Sequence, residues 1–175
     1  MRESNVVMSA KDPSSSDMSK DDSWKGQERG LTEGEVKSFL SEPWVARIAT
    51  LKEDGTPYLS TVWYEYDHPY FYLGGREKSA WVTNLIRNPH VALHVAEDKA
   101  PFTRVVVEGI AEIVEGPIGI KGRWIEVANK MATRYLGEHG PEYLVPTMER
   151  RRYWVKIIPQ KVQTWSGVEW HKKYL

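Results

Sequence analysis

The stretch from Val45 to Pro89 constrains the fold more than any other part of the chain, because β-type runs alternate in it with turn-forming triplets. Each run is rich in β-branched or aromatic residues, and each triplet contains Gly or Pro, which form tight turns between strands. This order predicts an antiparallel β-meander. The predicted strands are residues 45–51, 58–66 and 70–73, and the predicted turns are residues 53–55 and 67–69.

A short polar segment follows the third predicted strand directly and combines three features of an anion site. It reads Gly74-Gly75-Arg76-Glu77-Lys78-Ser79 and precedes a helical pattern that ends at Asn88-Pro89. Paired glycines let a backbone approach a ligand closely, two cations can neutralise an anion, and a helix N-terminus attracts phosphate. We interpret Arg76, Lys78 and Ser79 as a phosphate clamp. The alternative is an ordinary solvated turn.

The N-terminal part of the chain divides into a polar tail and the start of a folded domain. Residues 1–30 are rich in Ser, Asp and Lys and have almost no apolar periodicity, which predicts a disordered tail. A regulatory or docking arm is the alternative. The domain then opens with Thr32 as a helix N-cap and Glu35 as its capping-box partner. This helix should run to about Ser41, because Pro43 cannot continue it.

The C-terminal half reads as long strands separated by helices. The predicted strands are residues 90–95, 102–114, 153–158 and 162–165, and the predicted helices are residues 119–137 and 141–151. Gly137 is a plausible end for the longer helix, which is amphipathic. Pro159 and its neighbours should connect the last two strands. The basic run Arg150-Arg151-Arg152 is interpreted as a solvated cluster.

Composition narrows the class of protein. The chain has 175 residues, no Cys, and 24 cationic against 24 anionic side chains, so no charge excess favours nucleic acid or an anionic membrane as a partner. No stretch approaches the ~18 apolar residues that a membrane span needs, and no signal peptide is visible. We therefore expect one soluble, cytoplasmic domain over residues 31–175.

A histidine pair raises the question of a metal site. His90 and His94 are four residues apart, which places both on one face of a strand. No third ligand stands near them in the sequence, so we expect no metal at this position.

Several pieces of the chain, taken in order, resemble one known family. They are Ala49-Thr50-Leu51, residues 54–58, Val62-Trp63-Tyr64, the phosphate clamp, Asn84-Leu85, Asn88-Pro89 and residues 107–112. Their order and spacing over residues 31–166 resemble the split β-barrel flavin-binding proteins, which include pyridoxamine 5'-phosphate oxidase and the deazaflavin-dependent reductases. The resemblance implies a mainly β fold with flanking helices, an antiparallel split β-barrel of six or seven strands. It also implies a homodimer that shares its cofactor site.

The resemblance also implies which residues contact the cofactor. One strand of the family lies along the flavin, and the matching residues here are Ser60, Thr61, Val62 and Trp63. The clamp and the residues around it, Leu73, Gly74 and Trp81, match the phosphate end. Arg104 matches a contact made from the second subunit, and Trp165 matches a tryptophan near the flavin. Core packing is the alternative role for Val62 and Trp63, and an ordinary surface arginine is the alternative for Arg104.

Two departures from the oxidase pattern bear on the ligand. Trp81 stands where the oxidase has a lysine, and the closing Arg-Leu-His-Asp-Arg run that grips pyridoxamine phosphate is missing. We therefore do not expect pyridoxamine phosphate as the substrate.

The expected activity is that of an FMN-binding oxidoreductase that moves hydride or electrons between flavin and a small organic substrate. No side chain is a clear nucleophile or general base, which also fits a non-catalytic carrier. The alternatives are a deazaflavin coenzyme, or haem held by one of the histidines.

Overall fold

The seven strands that a computed structural model describes within residues 29–167 form one antiparallel sheet. Its strand order is β2-β1-β5-β6-β7-β4-β3, so β2 and β3 are the edge strands. The strands are β1 Ala46–Leu51, β2 Pro57–Val62, β3 Glu65–Asp67, β4 Tyr70–Arg76, β5 His90–Ala96, β6 Arg104–Ile118 and β7 Arg152–Trp165. The predicted mainly β architecture is confirmed.

Four α-helices flank the sheet in this part of the chain. They are α1 Glu33–Ser41, α2 Ala80–Arg87, α3 Arg123–Leu136 and α4 Gly140–Leu144, and a 3₁₀ turn, Val145–Thr147, follows the last. The first helix begins with the predicted capping box between Thr32 and Glu35. The third ends at Gly137, whose φ of 84° is the left-handed conformation that glycine adopts most easily. None of these helices has the length and apolar character needed to span a bilayer.

The predicted disordered tail lies almost wholly outside the described residues. Arg29 and Gly30, the last two residues of the predicted tail, precede α1 and lie next to the end of β7. The backbone of Arg29 exchanges hydrogen bonds of 3.0 and 2.8 Å with Ser166. Residues 1–28 and 168–175 are not described, so the disorder predicted for residues 1–28 remains a prediction.

The single strand predicted over residues 58–66 is wrong, because the chain leaves the sheet at Trp63 and Tyr64. The Tyr64 side chain is fully buried, and its hydroxyl donates a 3.1 Å hydrogen bond to the Leu40 carbonyl at the end of α1. The run therefore splits into β2, which pairs with β1, and β3, which pairs with β4. These two pieces lie at opposite edges of the sheet, so the meander is interrupted at its middle strand.

The two strands predicted over residues 153–158 and 162–165 are also wrong, since β7 runs unbroken through Pro159. The register against β6 shifts there, pairing Glu108 with Lys161 and Gly109 with Pro159, which leaves Gln160 as the extra residue of a bulge. A proline donates no ladder hydrogen bond, and a bulge is one of the places where a sheet tolerates it. The strand bends at the bulge instead of ending.

Two hydrophobic clusters stabilise the part of the domain within residues 29–167. The larger lies between the sheet and helices α1 and α2, and includes Ile48, Phe71, Leu73, Val82 and Leu93. The smaller lies under α3 and α4, where the rings of Trp124 and Trp154 stack with centroids 4.5 Å apart and planes 2° from parallel. The helical segment between β6 and β7, which comprises α3, α4 and the 3₁₀ turn, thus covers the end of the sheet that carries the phosphate clamp.

Candidate functional site

The glycines before the clamp belong to β4, and each makes room for a tryptophan. A Cβ on Gly75 would stand 2.6 Å from Cζ2 of Trp81 and 2.2 Å from Cγ2 of Val82. A Cβ on Gly74 would stand 3.1 Å from Cζ3 of Trp154. Packing therefore requires a glycine at position 75, while at position 74 a side chain would crowd the Trp154 ring. The role that the sequence pattern indicated, a close approach of the backbone to a ligand, is not needed to explain them.

Arg76 is the last residue of β4 and lies directly opposite Arg152, the first residue of β7. Burial lowers the pKa of Arg152, and the nearby charges of Arg76 and Arg150 lower it further. The Arg152 guanidinium donates to the Thr147 carbonyl at 2.8 Å and to the Thr147 hydroxyl at 2.9 Å. One end of the sheet thus holds several cations close together.

Arg151 joins this group through the segment that follows β4. The Arg151 guanidinium lies 3.4 Å from a carboxylate oxygen of Glu77, and the Glu77 backbone N–H donates to the Arg151 carbonyl. We call Arg76, Arg150, Arg151 and Arg152 the arginine cluster. Arg150 and Arg151 are exposed, as expected for a solvated basic run, and Arg152 is half-buried. The β4–β7 register places this run beside the clamp, which the sequence does not show.

The rest of the clamp lies at the start of α2. Ser79 is the N-cap of this helix, and its hydroxyl makes no capping hydrogen bond, so it is available to a ligand. Lys78 is exposed. Helix α2 contacts β1, β2 and β4, and Asn84 on this helix donates a 3.0 Å hydrogen bond to the Thr50 hydroxyl on β1. These contacts fix the position of α2, and with it Ser79, against strands β1, β2 and β4.

Residues predicted to line the flavin differ in what they expose. Leu73 and Trp81 have buried side chains, so only their main chains could reach a cofactor. Ser60 and Val62 are half-buried on β2, while Thr61 is exposed on its other face. The Trp63 ring stacks on Tyr135 with centroids 5.0 Å apart, and Tyr143 lies 6.3 Å away at a tilt. Trp63 therefore packs against helices α3 and α4.

Thr61, Arg104 and Trp165 belong to the opposite half of the sheet, on what we call its outer face. Arg47 on β1 stands between Thr61 of β2 and His94 of β5 in the strand register. Arg104 is paired with Trp165, and its guanidinium lies 4.1 Å from the centroid of the indole ring. This places three of the predicted site residues on one surface of the protein.

Sequence reasoning missed Arg47 as a member of this surface and considered His94 only as a metal ligand. Burial lowers the pKa of His94, and the charges of Arg47 and Arg104 act in the same direction. Within residues 29–167, no three potential ligands come together as a metal site. The cross-strand register brings Arg47 beside His94, a relationship that spacing along the chain does not show.

Several solved protein structures are similar to the structure of this chain. No match is found among functionally curated sequences. A conserved hypothetical protein from Mycobacterium tuberculosis, Rv2991, has a similar solved structure: 26% identity and a TM-score of 0.63, over 78% of this chain and 85% of that one. An F420 reductase superposes with a TM-score of 0.58 at 24% identity, over 72% of this chain and 94% of its own. The haem storage protein HutZ from Vibrio cholerae superposes with a TM-score of 0.58 at 22% identity, over 74% of this chain and 92% of its own.

A family model matches most of the chain. It is the model described as pyridoxamine 5'-phosphate oxidase, and it covers residues 32–166, from the N-cap of α1 to the residue after β7. The order of strands and flanking helices agrees with the fold that the sequence resemblance implied. This chain therefore belongs to the pyridoxamine 5'-phosphate oxidase family and has its antiparallel split β-barrel fold.

Proposed function

We propose that this protein is a flavin-dependent oxidoreductase that binds FMN non-covalently and serves a small organic substrate. The observation that carries the proposal is the concentration of positive charge where β4 meets α2. Within residues 29–167, neither Arg76 nor Lys78 forms an ion pair with a carboxylate. Uncompensated cations beside a helix N-terminus favour a phosphate.

The residues present fit an FMN molecule at both of its ends. Arg76, Lys78 and the hydroxyl of Ser79, which makes no capping hydrogen bond, can bind the phosphate group. Within residues 29–167, β2 is an edge strand, so one side of its backbone pairs with no strand described there and offers N–H and C=O groups to the polar edge of a planar ring. Ser60, Thr61 and Val62 lie on that strand. Since Trp63 is packed against Tyr135, the expected contribution of this segment is mainly from its backbone.

The sequence contains no recognisable catalytic nucleophile or pair of catalytic carboxylates, so we assign the chemistry to the cofactor and its binding to the protein. Bound flavin supplies the redox chemistry, namely the acceptance and donation of a hydride or of electrons. The chain's own residues bind the phosphate, orient the ring and exclude water. In a dimer, the outer face of the second subunit would bring Arg104 and Trp165 to the same cofactor.

Two other cofactors suit the same fold. An F420 reductase and a haem storage protein have similar structures, so a deazaflavin and haem remain the second and third candidates for this chain. The arginine cluster favours a phosphate-bearing cofactor, deazaflavin included. Haem would need His90, His94 or His171 as an iron ligand, and of these His94 is half-buried beside Arg47 and Arg104, where burial and the two charges lower the pKa of its imidazole.

Titration of the purified protein with FMN and with riboflavin tests the proposal, since riboflavin lacks only the phosphate. Arg76→Ala and Lys78→Ala should each cost about 1.5–3 kcal/mol of FMN binding, or about ten- to a hundredfold in Kd. Riboflavin binding should change little. Lys37→Ala, an exposed lysine on α1, is the matched control and should bind FMN like the wild type.

The melting temperature of each apoprotein shows whether a variant still folds. The clamp is exposed at Arg76 and Lys78, so both substitutions should leave that temperature nearly unchanged. If the two single variants and the double variant all bind FMN with wild-type affinity, the phosphate does not bind at the clamp. If the wild type binds no flavin but binds a deazaflavin or haem, the cofactor assignment fails.

A further inference from the structure

The end of the sheet around Arg76 carries more positive charge than one phosphate needs. Residues 76–78 and 149–152 contain five cationic side chains and two carboxylates, which leaves a net charge of +3. One of the carboxylates, Glu77, already pairs with Arg151. A phosphate monoester carries a charge of about −1.5 to −2 at neutral pH. A single such group would leave part of this positive charge uncompensated.

The strand register forces two of these cations together. Arg76 and Arg152 are directly opposite in the β4–β7 ladder, and like charges in that position destabilise a sheet. The Arg150 backbone lies beside Arg152, whose guanidinium donates a 2.6 Å hydrogen bond to the Arg150 carbonyl, and the charge of Arg150 lowers the pKa of Arg152. Such a cluster costs folding free energy unless an anion offsets the repulsion.

Arg152 is held in place by the turn that precedes β7. Its guanidinium donates to the Thr147 carbonyl and hydroxyl, and a further hydrogen bond of 2.6 Å reaches the Arg150 carbonyl. A cation that is already positioned loses little conformational entropy when it binds a ligand. By contrast, no hydrogen bond or ion pair holds the Arg76 side chain within residues 29–167.

We propose that Arg150 and Arg152 extend the clamp into a site for a ligand with two anionic groups, such as a diphosphate or a phosphate joined to a carboxylate. The first group lies at Arg76, Lys78 and Ser79, as in the proposed function, on which this inference rests for that group alone. The second lies between Arg76, Arg150 and Arg152. A ligand that fills both parts of the site carries more negative charge than FMN, whose phosphate fills only the first part.

Calorimetric titration of the full chain with inorganic phosphate and with pyrophosphate tests this site directly. The wild type should bind pyrophosphate at least about tenfold more tightly than phosphate, because only pyrophosphate spans both groups of cations. Arg150→Gln should lower pyrophosphate affinity by about tenfold and should leave phosphate affinity nearly unchanged. Lys37→Gln removes the same charge elsewhere and should affect neither ligand.

Arg152→Lys separates charge from geometry. It keeps the positive charge but loses the planar fork, so pyrophosphate affinity should fall while the melting temperature reports any damage from the lost bonds to Thr147. Equal binding of phosphate and pyrophosphate by the wild type would overturn the inference. So would an Arg150→Gln variant that binds pyrophosphate as the wild type does.

The same variants distinguish failure of this inference from failure of the proposed function. If FMN binding depends on Arg76 while pyrophosphate binding is indifferent to Arg150, the proposed function stands and the two-group site is wrong. If no flavin binds but pyrophosphate binding requires Arg76 and Arg150, the anion site stands and the FMN assignment is wrong. Each result is read from a separate titration.

Discussion

Gly75 lies where β4 passes beneath α2, and its missing side chain is what allows the helix to approach. A Cβ at this position would overlap Val82 and Trp81, both of which are buried. Neither neighbour can rotate away freely, because each also packs in the main hydrophobic cluster. The position of α2, and with it the position of Lys78 and Ser79, therefore depends on a hydrogen atom at Gly75.

Gly75→Ala should destabilise the protein by about 1–3 kcal/mol, the usual cost of overpacking a core. Chemical denaturation of the apoprotein measures this. Gly34→Ala is the control, because Gly34 lies in α1 with no atom within 4 Å of its would-be Cβ. That substitution should not destabilise the protein and should stabilise it by at most about 0.5 kcal/mol, since alanine is the better helix former but Gly34 is only the second residue of the helix. Equal effects at the two positions would contradict the packing role of Gly75.

At the scale of elements, the start of α1 is bound to the segment before it by charge. The Arg29 guanidinium donates to both carboxylate oxygens of Glu35 at 3.0 and 2.8 Å, and Glu35 also accepts from the Thr32 backbone N–H. These hydrogen bonds, led by the one from Arg29, lower the pKa of Glu35 to about 2 against the opposing effect of partial burial. The capping box thus also fastens the N-terminal segment.

Glu35 should make stability depend on pH in the acid range. Its pKa is lower in the folded than in the unfolded chain, so its contribution is complete above the unfolded value of about 4.3 and is lost as pH falls toward about 2. Because the carboxylate is 40% exposed, we expect only about 0.5–1 kcal/mol.

Glu35→Gln should remove this part of the acid dependence, measured as the free energy of unfolding at pH 7 and near pH 2.5. Glu53→Gln, in the exposed turn between β1 and β2, is the matched control and should keep the wild-type slope. A wild-type slope in the Glu35 variant would contradict the assignment.

Elements with local signals could be predicted from the sequence, and those set by distant packing could not. The capping box of α1, the start of α2 at Ser79 and the glycine end of α3 were all visible in short stretches. The break at Tyr64 was not, because it depends on burial of that ring beneath α1. Nor was the bulge in β7, which depends on its register with β6.

The candidate site follows the same rule. Arg76 and Lys78 were recognisable because they adjoin a predicted helix start. Arg152 was not, because it reaches Arg76 only through the pairing of β4 with β7. Arg47 and His94 likewise become neighbours only across strands. The sequence therefore indicated the site residues that are close to one another along the chain. Those brought together by strand pairing could be found only from the topology.

At the scale of the whole molecule, the two groups of predicted site residues belong to different surfaces. The clamp and the arginine cluster lie at the β4–β7 end, while Thr61, Arg104 and Trp165 lie on the outer face of the other half of the sheet. That outer face also exposes apolar side chains: Leu59 on β2 is 67% exposed, and Leu51 on β1 is 36% exposed. A homodimer would cover these side chains and could bring one subunit's outer face to the other's clamp.

Light scattering coupled to gel filtration should therefore give the mass of a dimer at micromolar concentration, about twice the 20.2 kDa of one chain. Leu59→Glu should shift the protein toward monomer, because a charge would be buried at the interface. It should cost little folding free energy, since the side chain is already exposed in one chain.

Leu136→Glu, at an exposed position at the end of α3, is the matched control and should remain dimeric. Under the shared-site arrangement, the Leu59 variant should also bind FMN more weakly, although every clamp residue is intact. A monomeric Leu59→Glu protein with wild-type FMN affinity would show that one subunit forms the whole site. A strictly monomeric wild type that binds flavin would exclude any contribution of Arg104 or Trp165 from a second chain.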